Sequence, residues 1–409
     1  MAPAGRIHVN VRTSVPPVAS RPLRRAFSLL TRSATVAALS VLAPGGLVST
    51  QEVDLVVVHP PAVVRVQGAS YLAHELWITN RERSSLTLNE VAVLDGARTV
   101  AVYQEPELVS RVGRPGLPRT HSTPLLLEPN QPGVVYFWIR LQADVATPRQ
   151  LEHRVSLSSS FGSRTAVIDG GRTNVSPADA IEILDAPLRG RGWVAVYDPL
   201  LVGGHRTAVY TIDGRPWIPG RFAIDWIRLL PNGRLHTDST SRPPDWNGFG
   251  TEVLAVKDAR VAVAVDGRSD ADQHGKPREA ITTETAAGNH IALDLGKGRF
   301  AFYEHLQQGS VRVKVGQRVS RGETIARLGS SGSVSSGPHL HFHVSDAARP
   351  LGAEGLPFVL RQFQLHGAFA SIASFLQGDA PLPRPAGDEP TRSLERPGPN
   401  VVMDFEPPD

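Results

Sequence analysis

From about residue 52 to 165, apolar and polar positions alternate in short runs: VDLVVV, AVVRV, AHELWITN, LTLNEVAVL, VVYFWIRLQ and LEHRVSLSS, separated by Pro, Asn, Gly and Ser. Successive side chains in a strand point to opposite faces, so this period of two with polar turns predicts an Ig-like antiparallel β-sandwich over 51–168. A Gly/Asp/Arg-rich stretch, 169–190, leads to a second β-rich region that opens at GWVAVYDPLL and is expected to form a domain over 187–366. Asp213–Gly214 and Gly296-Lys297-Gly298 read as hairpin turns within it. From 378 to 409 the chain becomes rich in Pro and charge and reads as an extended tail, in which VVMDF (401–405) would add one edge strand. The expected fold class is all-β: a sandwich followed by a second β-rich domain.

Composition narrows the class. With 41% hydrophobic and 20% charged residues over 409 positions, the chain is ordinary globular protein long enough for about two domains, which excludes global disorder. The net charge of +4 invites a nucleic-acid reading until it is located. Residues 1–50 carry six arginines and no acid, leaving 37 bases against 39 acids in the rest, so no nucleic-acid partner is expected.

Those first fifty residues form a basic segment followed by SATVAALSVLA (33–43), broken by Pro44, Gly45 and Gly46. An apolar run of about ten residues fits an export signal and falls short of a membrane span. LRRAFSLL (23–30) loosely matches the twin-arginine pattern, and an ordinary secretory signal fits equally. The expected location is periplasm, cell envelope or extracellular space, without a stable membrane span. The chain has no cysteine, so any metal must rest on His, Asp or Glu.

The densest chemistry lies in GPHLHFHV (337–344), where His339, His341 and His343 alternate with Leu340, Phe342 and Val344. On a strand, three imidazoles then share one face and three apolar groups the other, an arrangement suited to metal ligation by neutral imidazole. In FAFYEHLQ, alternation puts His305 on the face of Ala301 and Tyr303. Asp225, set among apolar residues in RFAIDWI, is the candidate carboxylate, since a buried acid without a partner is costly. His59, His74, His121 and His153 stand singly and read as structural or surface residues, and His290 as a hydrogen-bonding residue. Trp226 and Trp246 read as core or as groove lining.

In this order, YEHL (303–306), the glycine-spaced VRVKVGQRVSRGETIARLG (311–329) and GSSGSVSSGPHLHF (329–342) resemble the LytM/lysostaphin-type zinc endopeptidases over roughly 190–350. The resemblance implies a LytM-type β-rich peptidase domain holding one zinc ion through an H-x-x-x-D pair and the second His of H-x-H. Carried over, Asp225 and His341 become ligands. His305 and His339 become the pair that orients or deprotonates the attacking water and stabilises the tetrahedral intermediate. Four residues before Asp225, however, stands Arg221, whose guanidinium has no lone pair to offer a metal.

A replacement histidine is within reach. If Asp213–Gly214 is a two-residue turn, position 205 pairs with 222, and a bulge near Ile218–Gly220 would bring His205 into the ligand place. His236 and His274 are alternatives. Arg221 then either holds an anionic substrate group or pairs with a surface acid. His343 stands where relatives carry an acid and either supports His341 or ends the strand in solvent, and Tyr303 is a further candidate for substrate-side or supporting contact. The resemblance implies an exported zinc metallo-endopeptidase acting on peptidoglycan cross-bridges or stem peptides. The alternative is a degenerate relative that binds cell-wall peptide or regulates a partner amidase. A biotinyl/lipoyl-type carrier is disfavoured because no methionine lies between 2 and 402.

Overall fold

The computed structural model describes residues 52–116, 123–159, 165–237, 242–271, 282–332 and 337–405. The expected export segment, His121 and His274 lie outside the described residues.

Two antiparallel five-stranded sheets form the N-terminal part. One runs Val53–Val56, Ala69–Asn80, Pro132–Arg140, Val112–Gly113, with Ala62–Val66 also paired to Ala69–Asn80. The other runs Thr165–Asn174, Gln150–Ser159, Leu86–Asp95, Arg98–Gln104, with Leu126–Leu127 added to Leu86–Asp95. Inward residues of both sheets, among them Leu72, Leu76, Ile78, Val91, Phe137, Val155 and Leu157, close one apolar core. The stretch from 169 continues as strand to Asn174, with an irregularity between Gly170 and Thr173 that a φ of +60° at Gly171 accommodates.

The second part is organised on one long sheet. Its order is Glu182–Leu184, Phe358–Ala368, Val401–Phe405, Gly190–Val196, Ile224–Arg228, Leu340–Ser345, Arg299–Leu306, Asn289–Gly296, Ala259–Val265 and Arg318–Val319. A continuous core of Trp193, Trp226, Ile291, Tyr303, Leu340, Phe342, Phe358 and Met403 covers one face. Asp213–Gly214 turns the hairpin between Tyr210–Ile212 and Arg215–Trp217 with both turn residues at positive φ, in the expected register of Tyr210 opposite Trp217.

The C-terminal expectation needs correction. Residues 378–405 are not an extended tail, for Thr391–Glu395 pairs with Phe358–Ala368, and Val401–Phe405 sits inside the sheet between Phe358–Ala368 and Gly190–Val196. Alternation in VVMDF aims Val401, Met403 and Phe405 into the core, so this is a central strand, not an edge. Composition was misleading because the Pro-rich connections are interspersed with short strands, Leu382–Pro383, Thr391–Glu395 and Val401–Phe405, that pair with the sheet.

Candidate metal centre

Two strands supply the centre of the site. His341, on Leu340–Ser345, stands opposite Asp225 on one neighbouring strand and Glu304 on the other. His341 Nδ1 lies 2.8 Å from Asp225 Oδ1. His205 arrives from a short 3₁₀ turn, His205–Thr207, with Nε2 3.2 Å from Asp225 Oδ2 and its ring edge-on to His341 at 4.7 Å. One donor atom from each of His205, Asp225 and His341 falls within 4.8 Å of the others. The device that delivers His205 is a second 3₁₀ turn, Pro219–Phe222, in place of the expected bulge.

His305 reaches the site by a local irregularity. Its strand pairs Tyr303 with Ile291 but Leu306 with Asn289, so one extra residue is accommodated, and His305 has φ +63°. Simple alternation puts its ring on the core face with Tyr303; the bulge re-aims it toward His339 and His341, at 4.9 and 5.9 Å between ring centroids. Its Nδ1 lies 2.9 Å from the Ser331 carbonyl oxygen, as His339 Nδ1 lies 2.8 Å from that of Gly337. Gly337 has φ +84° and lies under the Trp246 ring, where a Cβ would come within 2.3 Å of Cζ2.

The remaining predicted residues sort as follows. Tyr303 lies on the core side, its hydroxyl accepting from Val256 N at 2.9 Å, and is not part of the site. His343 is buried against Phe302, ring planes parallel at 4.9 Å, which removes the solvent-end alternative. Arg221 is not at the surface: it is buried, with Nε 2.9 Å from Glu75 Oε2, Nη2 2.7 Å from Glu354 Oε2 and Nη1 3.0 Å from the Gly355 carbonyl oxygen. An arginine so engaged is not available to a substrate anion. His236 bridges to Trp246, and Trp226 is core. His290 Nδ1 lies 2.8 Å from the Gly288 carbonyl oxygen, His59 meets Glu354, and His74 meets His153. Glu304 is the group that sequence reasoning passed over. It lies buried opposite His341, with Oε1 3.9 Å from His343 Nδ1, and its alternate position in YEHL was the available signal.

The electrostatics favour an ionised carboxylate at the centre of the site. Burial pushes the Asp225 carboxyl up, but His205, His339 and the hydrogen bonds of His205 and His341 outweigh it and hold it well below the usual range. Burial lowers His305 strongly, helped by His339 and His341, and lowers His341 as well. His205 moves the other way because Asp225 outweighs its burial. Burial, then Asp225, raise Glu304 to about 8.

Two imidazole nitrogens and a carboxylate oxygen within 4.8 Å of one another are a donor set that suits zinc. These residues therefore fit a single divalent ion.

Residues 245–352 match the model of Peptidase family M23. That segment holds His305, His339 and His341, while His205, Arg221 and Asp225 precede it. Peptidoglycan DD-endopeptidases ShyA and ShyB of Vibrio cholerae serotype O1 are each 40% identical over 67 residues, 16% of this chain and 15% of theirs. Among solved structures, the lysostaphin catalytic domain of Staphylococcus simulans shares 22% identity over 41% of this chain and 84% of its own, TM-score 0.22. A zinc-containing peptidase from Vibrio cholerae shares 13% over 70% and 80%, TM-score 0.25. Residues 245–352 of this chain thus form a segment of the Peptidase family M23 type.

Proposed function

We propose that this protein is an exported metallo-endopeptidase that hydrolyses peptide bonds in peptidoglycan, with one zinc ion held by His205, Asp225 and His341. The observation that carries the reading is the convergence of those three donors beside the His305–His339 pair. Family membership of the segment bearing His305, His339 and His341, and the names of its relatives, support the substrate class. A location outside the cytoplasm follows from that substrate; no helix among the described residues is long and apolar enough to cross a membrane.

A zinc ion in this site supplies Lewis acidity toward a substrate carbonyl and a nearby water. The chain's own residues do the rest. Asp225 would supply the compensating negative charge, and the imidazoles of His205 and His341 the lone pairs. His305 and His339 each turn Nδ1 toward a backbone carbonyl, which puts the proton on Nδ1 and leaves Nε2 as the basic nitrogen. Burial holds the His305 ring neutral, and the unprotonated Nε2 of either ring is placed to accept a proton from attacking water. The resulting imidazolium returns that proton to the departing amine.

The decisive experiment incubates the purified chain with peptidoglycan and identifies new amine ends, in parallel with zinc analysis of wild type and His341→Ala. Stoichiometric zinc that disappears in His341→Ala, together with new amine ends, is the expected result. A folded, zinc-free, inert wild type would turn the reading toward the degenerate alternative that binds cell-wall peptide or a partner amidase, which Arg221 in the usual ligand place favours.

A further inference from the structure

Asp225 and His341 are fixed by the ladder of the central sheet, but His205 is not. It sits on a three-residue turn, and its side chain is 29% exposed, against 13% for each of the other two. Something outside the sheet must hold its position, because a metal ligand displaced by a fraction of an ångström loses affinity.

Two arginines do so. Arg206, the next residue, turns its side chain into the sandwich, where Nη2 donates to the carbonyl oxygens of His74 and Phe137 at 2.9 and 2.7 Å and to Glu75 Oε1 at 3.0 Å. On the other side of His205 lies the Pro219–Phe222 turn. A Cβ on Gly220 would stand 2.9 Å from the His205 carbonyl oxygen, so the two turns are in direct contact. Arg221 in that second turn donates to the other oxygen of Glu75 at 2.9 Å and to Glu354 at 2.7 Å. One carboxylate of the sandwich therefore hooks both turns, one guanidinium to each oxygen. The four charges, Arg206, Arg221, Glu75 and Glu354, balance in a buried setting, where their interactions are strong and an unpaired member is costly. The two arginines keep Glu75 ionised against its burial.

We propose that Glu75 is a positioning residue for the metal ligand His205, which makes the sandwich a structural part of the metal centre. The inference rests on the reading of His205 as a ligand. It also gives Arg221 a role: the residue in the usual ligand place holds the turn that carries the substitute ligand.

The test measures zinc affinity of the full chain by chelator competition, at a temperature where circular dichroism shows every variant folded. Glu75→Gln keeps the shape and removes the charge, and zinc binding should weaken about 10- to 100-fold, as for other residues that orient metal ligands. In a His205→Ala background the same substitution should change affinity no further. Unaltered affinity in Glu75→Gln overturns the proposal, and so does an equal loss in the His205→Ala background, which marks a general structural role. If Glu75→Gln does not fold, Glu75→Asp serves: its shorter carboxylate cannot span both guanidinium groups, so weakened binding is expected and wild-type binding is contrary. A wild type that binds no zinc removes the underlying reading and the positioning role with it. A wild type whose zinc survives His205→Ala at full affinity removes the role alone.

Discussion

His205 Nε2 approaches Asp225 Oδ2 to 3.2 Å, yet no ladder joins the two. A turn reached through a β-hairpin delivers the imidazole, while the residue four positions before Asp225 points its guanidinium into a buried ion network. In the proposed centre, ligand and anchor have exchanged places in the chain.

That exchange makes Arg221→His a discriminating variant. If position 221 were merely a lost ligand, restoring histidine would strengthen zinc binding. Because Arg221 pairs with Glu75 and Glu354 in a buried site, we expect instead a loss of about 3–5 kcal/mol in unfolding free energy and weaker zinc binding. Denaturant titration and zinc competition report the two effects separately.

His305→Ala and His339→Ala should lower the hydrolytic rate about 10²- to 10⁴-fold while the protein retains its zinc, since the role proposed for both is proton transfer and not metal retention. Loss of zinc in either variant would place that residue among the ligands.

The sandwich contains a buried imidazole pair, His74 Nε2 to His153 Nε2 at 2.8 Å. Burial lowers His153 to about 4, and burial together with His153 and Arg206 lowers His74 well below its ordinary value. The unfolded chain therefore takes up protons that the folded one refuses as pH falls below about 6.5. Stability should be full above that pH and decline toward pH 4, by about 1.4 kcal/mol per pH unit for each histidine. Thermal melts from pH 7.5 to 4.5 should show the decline, and a His153→Gln variant should flatten it.

Met403 is fully buried in a strand between two others. Met403→Ala should cost about 2–5 kcal/mol, measured by urea unfolding, whereas a tail residue would cost nothing measurable.

Alternation alone determined a large part of this molecule: the all-β class, most sandwich strands, the Asp213–Gly214 hairpin and the shared face of His339, His341 and His343. Each is a short-range consequence of strand geometry and turn chemistry. The long-range features were decided elsewhere. His305 joins the site only because a bulge against Asn289–Gly296 breaks its alternation, and a bulge depends on the partner strand. Val401–Phe405 lies in the middle of the sheet because two distant strands leave a gap of its width, which composition near the C-terminus does not record. Arg221 looked like a surface cation because its acids lie far off in sequence, Glu75 in the sandwich and Glu354 beyond the last motif histidine. Residue type and spacing set which side chains face together along one strand; which strands and turns then meet is set by the burial of the whole core, and that is what brought His205 beside Asp225 and His341.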